Sequence, residues 1–382
     1  MPALRTLDAP HRRIRLLAVA GARPNFMKIA PLMKELAKRS DRFEPILVHT
    51  GQHYDQAMSE SFFRDLEIPE PDVNLGVGSG SHGEQTAQVL VAIEKLLIER
   101  KPDVVLVVGD VNSTVAATLA AVKLHIPVAH VEAGLRSWDR SMPEEINRVL
   151  TDAVSDWLFT TEPSAETNLL REGVPGEKIH FVGNVMIDTL LAHRERARHL
   201  DTLERLGLKP GGYAVLTLHR PSNVDSPDQL RRLFGVLSRL GDRMPVVFPV
   251  HPRTANAIRN NLQGERLNLH MTEPLGYLEF LRLLMDAQMV LTDSGGIQEE
   301  TTALGVPCLT LRASTERPVT VSEGTNTIVG TDPKAIEVAI EKQLASPSES
   351  GRRPALWDGH AAVRIVDILE RDLRSRIGRA DG

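Results

Sequence analysis

Four sets of residues along the chain combine types and spacing that ligand chemistry needs. In GARPNFMKIAPL, Arg23 and Lys28 stand at the start of a helical pattern, where unpaired backbone N–H groups and the helix dipole already favour an anion. Phosphate or diphosphate is the natural ligand. In DSGGIQEE, Ser294, Gly295 and Gly296 follow an apolar run and open a second helix, so paired glycines let a diphosphate approach the backbone and a hydroxyl can donate to it. Glu299 and Glu300 are expected in the first turn of that helix. Glu299 reads as a dipole-complementing carboxylate, whereas Glu300 can accept hydrogen bonds from ribose hydroxyls.

The third set is acidic. Asp110 closes VVLVVGD, Glu132 closes VAHVE, and Glu144 with Glu145 begins the helical stretch PEEINR. Singly, each has a helix-capping explanation, Asp110 for the helix begun by Asn112 and Ser113, and Pro-Glu-Glu as an ordinary helix start. Gathered at one cleft edge, they can divide acid and base roles. The fourth set is basic: His219-Arg220 ends AVLTLHR, His251 ends VVFPVH, and Arg317 lies in TERP. Such groups suit a departing diphosphate whose charge must be neutralised as its bond breaks.

What must position them is an α/β framework. Short apolar runs ending in Gly, Asp, Glu or His alternate with amphipathic stretches, from RLLAVAG at 15–21 to IHFVGN at 179–184, and again from YAVLTLHR at 213–220 to CLTLRAS at 308–314. They are runs and not alternations, as strands covered on both faces require. The pattern predicts two doubly wound parallel sheets joined near residues 186–210, through a charged stretch with little apolar face. Ligands of such sheets bind beyond the carboxyl ends of the strands, here in a cleft between domains.

Composition narrows the classes. The 382 residues, 42% hydrophobic and 25% charged, suffice for two cored domains, and 45 basic against 50 acidic side chains give no general attraction for nucleic acid or membrane surfaces. A single cysteine, Cys308, permits no intrachain disulfide or thiolate cage and fits a reducing cytoplasm. No apolar run approaches a membrane span, and MPALRTLDAPHRRIRLL reads as the approach to a first strand and not as a signal peptide. GSGSHG at 78–83 matches a dinucleotide fingerprint but follows a poor strand, PDVNLGV; no P-loop occurs; and His49 and His53 in HTGQH lack the partners of a zinc site. Neither NAD nor a metal is expected.

Taken together, GARPNFMKIAPL, GDVNST, HVEAGLRS, PEEINRVLTD, DSGGIQEE, ERP and EGTN resemble the non-hydrolysing UDP-N-acetylglucosamine 2-epimerases over residues 14–370. The resemblance implies two Rossmann-like domains in a GT-B-like pair, residues 1–190 and 191–360, with the C-terminal helix 361–382 packing back on the first. It implies catalytic roles for Asp110, Glu132, Glu144, Arg148 and His219. It also implies substrate contacts from Arg23, Lys28, Ser294, Gly295, Gly296, Glu300 and Arg317, with Phe280 near the uracil. The implied reaction loses the sugar carbon-2 proton with departure of UDP, holds 2-acetamidoglucal, and adds UDP back after reprotonation on the other face, with no cofactor and no metal. A homodimer is implied as well. The family's QHxxM loop appears as GQHYDQAM, with Gln52 and His53 kept and the methionine displaced to Met58, and Pro221 replaces a basic residue after His219-Arg220.

Other readings share the same residues. An epimerase for a related UDP-sugar, such as UDP-2,3-diacetamido-2,3-dideoxyglucuronate, would need a basic contact for the sugar carboxylate, with Arg136, Arg140 and Arg220 as candidates. A GT-B glycosyltransferase would need an acceptor groove. A nucleotide-sugar binding protein without turnover would not need the acidic set.

Overall fold

Alternate residues of each central strand enter different cores, which is why the sequence shows unbroken apolar runs. The computed structural model describes residues 12–51, 65–345 and 351–380. In β1 (Ile14–Ala20), Leu16, Ala18 and Ala20 pack into one buried cluster while Leu17 and Val19 pack into another on the opposite face. β4 (Val104–Val108) divides in the same way, and all five of its residues are buried.

All strands pair in parallel. The first sheet runs β3-β2-β1-β4-β5-β6-β7, with β2 Phe43–His49, β3 Val73–Asn74, β5 Val128–Ala133, β6 Trp157–Thr160 and β7 Ile179–Phe181. The second runs β10-β9-β8-β11-β12-β13, with β8 Ala214–Thr217, β9 Val246–Pro249, β10 His270–Thr272, β11 Met289–Thr292, β12 Cys308–Thr310 and β13 Asn326–Ile328. In each sheet the chain reverses its direction of travel at one place, between β1 and β4 and between β8 and β11. Loops there diverge and leave a crevice, where ligands of such sheets bind. β3 is a two-residue edge strand within PDVNLGV, and β13 begins at the last residue of EGTN, too short to stand out as an apolar segment.

The helices that matter for the site are α1 (Arg23–Lys38), α2 (Asn112–Lys123), α3 (Pro143–Val154), α4 (Val185–Arg198), α5 (Tyr277–Met285), α6 (Gly295–Leu304) and α7 (Ala361–Ala380). The charged connection is a packed helix and not a polar spacer: Val185, Ile187, Leu190 and Ala197 of α4 are at most 1% exposed, and the helix contacts both α1 and α5. Apart from the buried Asp188, its charges occupy the outer face, so its composition disguised its buried face. The helix also runs across the junction expected at residues 190 and 191. α7 contacts α1, α4 and β1, and its first turn is held by Asp188, which accepts from the N–H groups of Ala361 and Ala362 at 3.2 and 2.8 Å. Trp357, 1% exposed, donates from Nε1 to the Thr161 carbonyl at 2.9 Å.

Candidate active site

The crevices of the two sheets open into one another. A cleft of about 400 Å³ is lined by Lys28, Asp110, Glu144 and Arg148 from the first lobe, and by His219, Phe280, Ser294, Gly295, Gly296, Glu300 and Arg317 from the second. The acidic and basic sets therefore face each other. Lys28 and Asp110 follow β1 and β4, while His219 and Ser294 follow β8 and β11, so the four loops at the two reversal points supply the centre of the site. The side chain of Arg23 lies outside the described residues, as do Gln52, His53 and Met58.

On the first-lobe wall, Arg148 reaches from α3 with Nη2 to Asp110 Oδ2 at 2.6 Å and with Nη1 to Glu145 Oε2 at 2.8 Å. Burial raises the Asp110 carboxyl, but the charges of Arg148, Lys28 and Arg317 outweigh it and hold the group below its usual value. Asp110 does not cap α2, whose N-cap is Val111. Gly109 beside it adopts φ +66°, and a Cβ there would stand 2.8 Å from the Lys28 ammonium, so only glycine lets that lysine cross the strand end. Glu145 accepts from the N–H groups of Ser137 and Trp138 at 2.9 and 3.0 Å and serves the loop, leaving Glu144 on the cleft.

Glu132 is one layer deeper. It adopts φ +71° where the β5–β6 register shifts, and it is 4% exposed. A bulky residue held in the left-handed region stores strain that its surroundings must enforce. They do so with charge: Oε2 is 2.5 Å from Lys28 Nζ, and Oε1 accepts from Arg317 Nη2 at 3.1 Å across the lobes. Arg317 also stands 2.9 Å from Glu299 Oε1 through Nε and donates from Nη1 to Glu316 Oε1 at 2.7 Å. One guanidinium thus gathers three carboxylates.

Glu299 departs from the expected capping role. α6 begins at Gly295 with Ser294 as N-cap, which places Glu299 and Glu300 in the second turn. Glu299 is wholly buried and accepts from Asn184 Nδ2 at 2.9 Å; burial, only partly opposed by Arg317, pushes its carboxyl up to about 7. Glu300, on the cleft, is pushed up to about 8 by burial and by its neighbour Glu299, although Tyr277 donates to it. Glu316 is held well below its ordinary value, burial being overcome by Arg317 and Arg312. Glu299 stood out in the sequence only as a helix-start carboxylate, and Glu316 only through its place in the ERP string.

The helix start is open to a ligand. Ser294 makes no capping hydrogen bond with its side chain, and the first-turn N–H groups of α6 have no partner within the helix. A Cβ on Gly295 would come within 2.5 Å of Arg317 Nη1, so that position requires glycine. Leu275, Tyr277 and Phe280 supply an apolar end of the cleft beside Glu300. His251 is not part of the site: it caps a helix, accepting from the Arg253 N–H at 3.3 Å. Arg136 is sealed in ion pairs with Asp152 and Glu172, and Arg140 borders a separate hollow beside Trp138. Of those three arginines, Arg220 alone lines the cleft. Among the described residues no group of three or more His, Cys, Asp or Glu could hold a metal ion, and no helix is long and apolar enough to cross a membrane.

The sequence model of the family described as UDP-N-acetylglucosamine 2-epimerase matches residues 34–370. The chain belongs to the UDP-N-acetylglucosamine 2-epimerase family. A member from Methanococcus maripaludis, named UDP-N-acetylglucosamine 2-epimerase, is 42% identical over 361 residues, covering 92% of this chain and 97% of its own. A Pseudomonas aeruginosa protein named UDP-2,3-diacetamido-2,3-dideoxy-D-glucuronate 2-epimerase is 41% identical over 360 residues, covering 93% of this chain and 99% of its own. The crystal structure of the Methanocaldococcus jannaschii UDP-GlcNAc 2-epimerase in complex with UDP-GlcNAc and UDP superposes with a TM-score of 0.86 at 42% identity, covering 93% of this chain and 99% of that one.

Proposed function

We propose that this chain interconverts UDP-N-acetylglucosamine and UDP-N-acetylmannosamine by elimination and re-addition of UDP. The observation that carries the reading is the single cleft in which Asp110 and Glu144 face His219 and the Ser294-Gly295-Gly296 helix start. A carbon-2 proton with no adjacent carbonyl is not acidic; it can leave only as the glycosidic C–O bond breaks. A carboxylate of the first lobe takes that proton, the C–H electrons form the C1–C2 double bond, and the C1–O electrons leave with UDP. Glu132, Asp110 and Glu144 are the candidates for this base, for the acid that reprotonates carbon 2 on the other face, and for support of positive charge at carbon 1. The α6 N–H groups, Ser294, Arg220, His219 and Arg317 stabilise the departing diphosphate, with Arg23 and Lys28 contributing from α1. Glu300 takes the ribose hydroxyls, Phe280 borders the uracil, and Arg148 sets Asp110. Closed lobes retain 2-acetamidoglucal until UDP adds back. No cofactor enters the scheme.

The test is incubation with UDP-N-acetylglucosamine in deuterated water, followed by proton NMR at carbon 2. Epimer formation with deuterium at that carbon is expected; epimerisation that retains the original hydrogen, or sugar transfer only when an acceptor is added, defeats the scheme. A second substrate is favoured by Arg220, whose side chain lines the cleft, is 27% exposed and is held only by a loose ion pair, Nη2 standing 3.9 Å from Glu316 Oε1. A sugar carboxylate at carbon 6 could meet it, and UDP-2,3-diacetamido-2,3-dideoxyglucuronate belongs in the same substrate panel.

The working unit in this reading is a homodimer in the cytoplasm. Ile146, Leu150 and Val154 form a stripe on α3 at four-residue spacing, 38, 46 and 39% exposed, which a second copy would cover. Leu150→Glu is expected to yield monomers by light scattering, and an unchanged mass would reject this face.

A further inference from the structure

Asp293 follows β11 and is fully buried, behind the cleft and not on its wall. Its carboxylate nevertheless collects donors from one loop. His219 Nδ1 lies 2.9 Å from Oδ1, while the His219 and Arg220 N–H groups and Asn223 Nδ2 lie 3.1, 2.9 and 3.0 Å from Oδ2. Asn223, itself 0% exposed, also donates to the Leu311 carbonyl at 3.1 Å and ties the loop to the end of β12. Burial raises the Asp293 carboxyl, and the bonds from His219, Arg220 and Asn223 overcome it, so the group stays ionised.

The geometry points to Asp293 as the positioning residue for His219 in the reaction proposed above, on which this inference rests. With Nδ1–H donated to Asp293, the other ring nitrogen, Nε2, is on the side away from Asp293. There a protonated ring can lend its Nε2 hydrogen to an oxygen of the departing diphosphate and take it back when UDP returns, its lone pair being on Nε2 in between. Two backbone N–H bonds to the same carboxylate fix where the imidazole is rooted. The peptide that does this continues directly into Ser294, Gly295 and Gly296, so one buried side chain registers the proton-transfer group against the diphosphate cradle. An amide in its place keeps the shape but accepts through one atom only and carries no charge to select the tautomer.

The test uses the full chain as wild type, Asp293→Asn, His219→Asn and the double variant. Asp293→Asn is expected to lower kcat by on the order of 10²–10⁴-fold with KM nearly unchanged. Because Asp293 acts through His219, the double variant should be as slow as His219→Asn alone. Nitrogen-15 NMR, with His219 identified among the thirteen histidines by its loss in His219→Asn, should show hydrogen on Nδ1 of the neutral wild-type ring and a shift toward Nε2–H in Asp293→Asn. Losses that multiply in the double variant, or ring signals that Asp293→Asn leaves in place, overturn the proposal. If the variant does not fold, the wild-type spectrum decides, since a neutral His219 with its hydrogen on Nε2 excludes the dyad. A wild type that turns over no UDP-sugar defeats the functional reading instead, and the ring spectra still judge Asp293.

Discussion

Two buried charge clusters lie within the molecule, and they are built to opposite standards. Inside the first lobe, His130 bonds through Nδ1 to Asp152 at 2.6 Å and through Nε2 to the Gly109 carbonyl at 2.8 Å. Asp152 accepts in addition from the Gly134 N–H at 3.0 Å and pairs with Arg136 at 2.8 Å, and Arg136 grips both oxygens of Glu172. Each of these polar atoms has a partner. Across the lobes, Arg317 and Lys28 serve Glu132 and Glu299, Glu316 is shared between Arg317 and Arg312, and Glu299 Oε2 has no hydrogen-bond partner among the described residues. The matched cluster stabilises a strand end. The mismatched one contains strain at Glu132 and a proton with two possible states at Glu299, features that accompany function more than stability.

Several measurements would break or sharpen that contrast. The largest effect is expected for Glu132→Gln, which should cut turnover by about 10²–10⁴-fold while shifting the thermal midpoint less than Asp152→Asn does, because Glu299 and Glu316 still balance Arg317 and the Asp110 charge still faces Lys28. Rate and melting measured on one preparation decide it; a collapse of both together would place Glu132 with the structural cluster. Asp152→Asn should do the reverse, removing about 3–5 kcal/mol of stability in urea unfolding of the first lobe by leaving the buried Arg136 short of its counter-charge. A wild-type midpoint would show that the sealed network is dispensable.

The pH dependence should differ in sign. Glu299 and Glu300, raised to about 7 and about 8, bind protons more tightly folded than unfolded. Their contribution is therefore complete below the ordinary carboxylate value of 4.5 and disappears as pH rises through 7 to 8. Glu299→Gln should gain stability relative to wild type across that rise, as read from paired melts. Asp152 is the opposite case: burial raises it, His130 and Arg136 lower it further, and its contribution holds above its usual 3.8 and is lost as pH falls through the depressed value. A Glu299→Gln difference that is flat with pH would remove the proton from the cleft cluster. The smallest effect belongs to Glu172→Gln at the rim of the sealed network, where 27% exposure limits the cost to about 1 kcal/mol in the same urea experiment.

What the sequence determined by itself was local. Unbroken apolar runs, each ending in a polar residue, specify strands covered on both faces and mark where their loops begin, so Asp110, His219 and the Ser294-Gly295-Gly296 turn were legible without coordinates. The helix starts at Arg23 and Pro143 were legible for the same reason, since capping and dipole chemistry act within a few residues. Tertiary structure alone decided which strand ends become neighbours, because strand order follows from sheet pairing. It also paired Glu132 with Arg317, 185 positions away, turned Glu299 from a helix-start carboxylate into a buried partner of Asn184 and Arg317, and gave the charged connecting helix a buried face. A carboxyl group's role depends on which charges surround it and how much water remains, and both are set by packing between distant segments.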